Sequence, residues 1–263
     1  MAIIPTIEYE TKLQERLSAP MVWKEICLVK YTNSGIWRNP YLTDPTIGTG
    51  TRGTGYTSTA IATVDDTVTI NTYKYAAEHI DDADLAQKTF SDFMEIADRI
   101  GTLLNETMET AMLAEHAQWT NFDNASIGGA AGNITVAISN IKAIITGVKR
   151  EIREAGGGDL MNRNGAFIQW READFELVEQ LASSEGFSTA DDTLKNGIKQ
   201  GFKYMGVEHY STSKNASGHI FGGVKKAFAV GVVKSTYGKV KTIINPVVGG
   251  AQISGIGLES RID

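Results

Sequence analysis

Gly48, Gly50 and Gly53 spell GxGxxG, a spacing that in a dinucleotide-binding turn sets a pyrophosphate against a helix start. The flanks do not suit that chemistry. TDPTI before it is not the buried apolar strand such a turn follows, and TGYTSTA after it is too β-branched to open a helix, so the glycines read as a flexible loop. GVVKSTYGK from Gly231 has the wrong spacing for a phosphate-cradling P-loop, and no serine lies in GxSxG. His79 with Asp81, Asp82 and Asp84 has metal-ligand chemistry, yet three acids at a predicted helix start are what the macrodipole favours, and capping explains them better. Glu115 and His116 lack the second histidine of HExxH, and no spacing forces His209 and His219 together. Cys27, in KEICLVK, reads as a buried inert thiol. Asp191 and Asp192 are adjacent, which does not place two carboxylates across a substrate. Lys149, Arg150 and Arg153 read as compensation of a helix C-terminus rather than an anion site. No catalytic residue, cofactor or metal is therefore expected, and the chain does not read as an enzyme.

Composition narrows the function classes further. The 263 residues are 42% hydrophobic and 21% charged, enough apolar material for a sizeable core. One cysteine excludes an internal disulfide and suits a reducing compartment such as a cytosol. Lys and Arg number 25 against 31 Asp and Glu, a net charge of −6 that opposes a phosphate-neutralising role. Nucleic acid is expected only as a non-specific neighbour. No basic start precedes an apolar run and no stretch reaches a membrane-spanning length, so a soluble protein without a membrane partner is expected.

The elements alternate between extended and helical texture, an α+β pattern. Residues 8–30 suggest a helix broken at Pro20, with Leu13, Leu17, Val22 and Ile26 on one side, forming an arm. Residues 40–80 read as one long extended excursion: a Thr/Gly/Pro-rich stretch, then DDTVTINTYKY alternating as a half-exposed strand. From Asp81 to about Gln118 the spacing of Phe90, Phe93, Ala97, Ile100, Leu104, Met108 and Ala111 predicts a long helix. Ile134, Ile138, Ile141, Ile145, Val148 and Ile152 predict a second, from about Asn133 to Ala155, whose single stripe suits packing on a sheet. GAFIQW predicts a strand, and Phe175, Val178 and Leu181 a helix over about Arg171 to Ser184. The runs GHIFGG, AFAVGVV and KVKTIINP, with no helix between them, favour antiparallel pairing. Ordering an arm costs on the order of 1 to 2 kcal/mol of backbone entropy per residue. The arms must therefore be completed by neighbouring copies.

That order of elements resembles the tailed-phage major capsid proteins of the Hong Kong 97 fold. LSAPMVWKEICLVKYT looks like their N-terminal arm, and DDTVTINTYKYAAEHIDDADLAQ like the returning strand of the extended loop entering the spine helix, which LLNETMETAMLAEHAQW continues. NITVAISNIKAIITGVKREIREAGGGD resembles the second helix of the peripheral domain. GAFIQWREADFELVEQLAS and KNGIKQGFKYMGVEHYSTS resemble the axial domain, and KKAFAVGVVKSTYGKVKTIINP the strand returning to the peripheral domain. The resemblance implies an N-terminal arm over 1–38, an extended β-loop over 39–80, a peripheral domain with the spine helix over 81–160 and 235–263, and an axial domain over 161–234. It implies a shell subunit forming pentamers and hexamers in an icosahedral head around double-stranded DNA, in the virion and, during assembly, in the host cytoplasm. The capsid-like segments begin almost at the initiator Met, so a separate scaffolding protein is expected, with a portal and decoration proteins as further partners. Intersubunit contact is expected at Thr49, Arg52, Tyr56, Thr69 and Lys74. No motif assigns a covalent crosslink to Lys74, Lys88 or any Asn. Two alternatives are an encapsulin-like nanocompartment and an α+β enzyme.

Overall fold

A computed structural model describes residues 21–53, 55, 60–81, 90–120, 122–185, 201–215, 219–234, 240–244, 247–248, 251–252 and 255–262. A short helix α1 (Trp23–Ile26) leads into β1 (Leu28–Thr32), and β2 (Ile36–Leu42) pairs antiparallel with β3 (Thr63–Thr69). β4 (Lys74–Asp81) precedes the spine helix α2 (Phe90–Ala114), which tightens into a 3-10 turn over Glu115–Gln118. After α3 (Ile141–Glu154) and α4 (Gly158–Asn164) come β5 (Ala166–Arg171), α5 (Glu172–Ser184), β6 (Phe202–Tyr204), β7 (Val207–Thr212), β8 (Phe221–Val224) and β9 (Ala229–Val233). The chain then forms β10 (Val240–Ile244), the small pair β11 (Val247–Val248) and β12 (Ala251–Gln252), and β13 (Gly255–Ile262).

Two bodies of packing organise these elements. The first is a four-stranded sheet in the order β6-β7-β5-β8 with α3 and α5 against it. Ile141, Ile144 and Ile145 of α3, Ile168 and Trp170 of β5, Phe175 and Val178 of α5, and Val207 share one core. Burying each such side chain stabilises the fold by roughly 1.5 to 3 kcal/mol. The α3 stripe does pack on a sheet, sharing this core with the strands that follow it. The second body is the sheet β10-β13-β4, wholly antiparallel, with the spine helix against it. Ile100 and Leu104 of the helix pack there on Ala76 of β4.

Several sequence expectations are corrected. The first half of DDTVTINTYKY ends β3, and Lys74 and Tyr75 open β4 in a different sheet, so the excursion is the hairpin Ile36–Thr69 rather than residues 40–80. Asp81 is the last residue of β4; Asp82 and Asp84 lie outside the described residues. Toward its end the helix buries Glu109, Met112 and Leu113, while Ala111 is exposed. The second helix starts at Ile141, not Asn133, because the Asn140 side chain accepts from Ala137 N–H at 2.9 Å and donates to the Thr135 carbonyl at 2.9 Å, holding that backbone in a turn. Ile134 still reaches the core, from an extended segment. The run AFAVGVV pairs parallel with β1, and β5 pairs parallel with β7, so pairing is not wholly antiparallel. Residues 22–32 of the expected arm are part of the body, with Val22, Trp23, Ile26 and Cys27 buried; Leu13 and Leu17 lie outside the described residues.

What holds that N-terminal segment is a buried carboxylate. Glu109 is fully buried on the spine helix; its Oε2 accepts from Val22 N–H and Trp23 N–H, both at 2.9 Å, and its Oε1 accepts from Gln169 Nε2 at 2.5 Å. These N–H groups head α1, where a helix leaves donors unpaired and favours an anion. Burial raises the Glu109 pKa, opposed by the three hydrogen bonds. Cys27 beside it is buried, its Sγ 3.2 Å from Met112 Sδ, and burial with the nearby Glu109 charge pushes its thiol up to about 12, the inert state expected. In the four-stranded sheet, His209 is fully buried, accepting at Nδ1 from Trp170 Nε1 at 2.9 Å, with Nε2 facing the Tyr204 carbonyl at 3.2 Å as donor. Burial lowers its pKa to about 4.

Two measurements test these polar joints. Gln169 Oε1 has no hydrogen-bond partner among the described residues. In Glu109→Gln, a flip of the Gln169 amide lets that oxygen accept from the new side chain, so chemical denaturation should show near-unchanged or higher stability at neutral pH. Glu109→Ala strands two buried N–H groups and should cost roughly 3 kcal/mol or more. His209 binds a proton more readily unfolded, at about 6.5, than folded, at about 4. Its contribution is therefore complete above about pH 6.5 and falls away as pH drops toward 4, by about 3 kcal/mol in total. Equilibrium unfolding across that range should show this slope, and His209→Gln should flatten it.

Candidate assembly surface

The alternating Val and Thr residues around Thr63–Thr69 and the run Ile36–Leu42 favour strands, and the register pairs Ile36 with Thr69, Trp37 with Val68, Tyr41 with Val64 and Leu42 with Thr63. Directly opposed residues share a face, so Trp37, Tyr41, Val64 and Val68 lie on one side of the hairpin as two apolar pairs, with the Asn39–Asp66 register pair between them. The other side carries Ile36, Pro40 and Leu42 together with Arg38, Thr63, Asp65, Thr67 and Thr69, with Arg38 and Asp65 4.0 Å apart in an exposed ion pair that contributes little. Thr43 N–H donates to the Ala62 carbonyl at 3.0 Å and extends the ladder one step into the connecting loop.

The hairpin is rooted but not covered. Ile70 N–H donates to the Gly35 carbonyl at 2.8 Å, and the Ile70 side chain lies against Gly231 of β9, where an added Cβ would meet it at 3.4 Å. Beyond that root, all seven residues of β3 are exposed; Tyr41 is 52% exposed, Leu42 65% and Ile47, in the loop, 97%. A lone two-stranded hairpin is marginal in water.

The expected contact residues that the structure describes lie on different elements. Thr49 and Arg52 are exposed in the loop between β2 and β3, and Tyr56 lies outside the described residues. Thr69 ends β3 on the face opposite the two apolar pairs, and Lys74 begins β4, exposed and paired in register with Ile262. Sequence reasoning missed these pairs, although Tyr41, Val64 and Val68 at even spacing on two facing strands were their signal. Among the described residues no three metal-ligating side chains come together, and His79 lies in β4 in register with Gly257. Lys149 Nζ donates to the Met205 carbonyl at 2.8 Å and Arg150 to the Ser126 carbonyl at 2.7 Å, so these cations secure neighbouring turns.

The backbone path can be set beside solved structures. A Mycobacterium phage Che8 structure superposes with a TM-score of 0.68 over 98% of this chain and 92% of that chain, at 13% identity. The capsid structure of the cyanophage P-SCSP1u gives a TM-score of 0.59 over 98% and 87%, at 14% identity. The chain has the Hong Kong 97 capsid fold. The mature capsid of bacteriophage PhiM1 matches equally fully, over 98% of this chain and 87% of that chain at 15% identity, with a TM-score of 0.57. The sequence matches no family model and no curated protein. The capsid fold is thus shared as a backbone path while nearly every residue differs.

If the face with these apolar pairs is an interface, negative charge placed on it acts on association alone. Tyr41→Asp with Val68→Asp should leave the subunit's melting temperature within a few degrees of wild type, as exposed sites do. Sedimentation velocity should show the association of wild-type subunits lost.

Proposed function

We propose that this chain is the major capsid protein of a tailed phage. Its copies form the pentamers and hexamers of an icosahedral shell enclosing double-stranded DNA, in the virion, with assembly in the host cytoplasm. The observation that supports this reading is the near-complete superposition on phage capsid subunits, 98% of this chain on 87% of the P-SCSP1u and PhiM1 subunits, by a chain whose hairpin presents two apolar pairs on one face. In this reading the spine helix with the sheet β10-β13-β4 is the peripheral unit, and the four-stranded sheet with α3, α4 and α5 is the axial unit. The hairpin Ile36–Thr69 is the extended loop that lies on an adjacent copy. Thr49, Arg52, Tyr56, Thr69 and Lys74 are proposed as intersubunit contacts. The role is structural rather than enzymatic.

The partners follow from the same reading. A separate scaffolding protein would set curvature, a portal would occupy one vertex, and decoration proteins would bind the finished exterior. The net charge of −6 suits a container, since a shell that gripped its genome tightly would hinder packaging and release.

Co-expression with the scaffolding protein, followed by negative-stain microscopy, tests the proposal. Closed shells of megadalton mass are expected. Removing residues 46–60 keeps the Thr43–Ala62 ladder pair and should leave soluble subunits that no longer close shells. A wild-type chain that stays a 28.5 kDa monomer at every concentration overturns the reading, and normal shells from the deletion overturn the role of the loop.

A further inference from the structure

Two histidines far apart in sequence meet where the spine helix ends. His116 sits in the 3-10 turn Glu115–Gln118, and its Nδ1 lies 3.0 Å from the Leu113 carbonyl. A carbonyl only accepts, so Nδ1 carries the proton and Nε2 keeps its lone pair. That is the state a ligating histidine takes: the second ring nitrogen donates to a backbone carbonyl, which fixes the tautomer and raises the basicity of the first. His219, exposed just before β8, brings its ring centroid to 4.4 Å from that of His116, with the planes at 47°. With metal–nitrogen bonds of about 2.1 Å, two imidazoles bound to one ion have ring centroids about 4.5 Å apart at a right angle and about 5.2 Å apart at the tetrahedral angle. The observed separation falls at the right-angle value, the geometry of tetragonal and octahedral ions with imidazole ligands.

We propose that His116 and His219 form a two-histidine site for a divalent transition ion of the nickel and copper type, with water completing the coordination shell. Among the described residues no group of three or more metal-ligating side chains exists, so the protein contributes these two ligands. Nearby, Trp119, three residues after His116, stacks on Phe221, two residues after His219, with ring centroids 3.9 Å apart. A bound ion would therefore clamp the end of the spine helix to the entry of the four-stranded sheet without large rearrangement.

The untagged full-length chain, as free subunits and as assembled particles, would be titrated with NiCl2 by calorimetry. One ion per chain is expected in the subunits. His116→Ala and His219→Ala should each weaken binding roughly tenfold or more, and His79→Ala should leave it unchanged. Quenching of Trp119 fluorescence by CuCl2, lost in both variants and in Trp119→Phe, gives a readout independent of affinity. Unchanged binding in either histidine variant, or binding that follows His79, overturns the site. The outcome is independent of shell formation, which is scored separately by microscopy.

Discussion

A charge buried in a protein interior must be surrounded by donors, and that requirement on Glu109 decides how three parts of this chain are joined. The spine helix supplies the carboxylate, α1 supplies two backbone N–H groups and β5 supplies the Gln169 amide. Moving any of the three away would leave a buried ion or buried donors unpaired, a penalty larger than the net gain of an ordinary hydrogen bond. The joint therefore behaves as all-or-none. It sits where the N-terminal segment, the helix and the middle strand of the four-stranded sheet come together, so the relative placement of the two packed bodies rests on it.

Around this joint the molecule divides its labour. The four-stranded sheet and its helices bury a dense apolar core, with His209 held neutral inside it between Trp170 and Tyr204. The spine helix spans from the sheet β10-β13-β4, where Ile100 and Leu104 pack, to the cluster of Met112, Leu113, Trp23 and Phe167. Each end is fixed by different physics, dispersion at one and a hydrogen-bonded charge near the other. The hairpin stands outside both cores, attached by Ile70 at Gly35 and Gly231. A rigid body with a protruding two-stranded element is the form a subunit needs if its last contacts are to be made by its neighbours.

How far the residues announced this varies with the range of the interactions. β5 and α5 were legible almost to the residue, because GAFIQW and the spacing of Phe175, Val178 and Leu181 are local patterns that the tertiary environment did not override. The end of the spine at Gln118 was equally plain. The start of α3 was not, since one side chain, Asn140, turned the backbone that Ile134 and Ile138 would have continued as helix. The parallel partner of AFAVGVV was hidden because it is Leu28–Thr32, at the other end of the chain. The pairing of Trp37 with Val68 and Tyr41 with Val64 arises only when Ile36–Leu42 and Thr63–Thr69 are laid in register.

Composition and spacing alone determined the α+β class and the long helix. These depend on which residues are neighbours along the chain, and periodicity records that directly. The tertiary structure alone decided that Glu109 is buried rather than solvated, that His116 and His219 touch, and that the segment after Pro20 is built into the body. A glutamate on a helix or a histidine in a turn looks the same in sequence whether water or protein surrounds it. Only the fold sets that surrounding, and with it the charge, the tautomer and the partner.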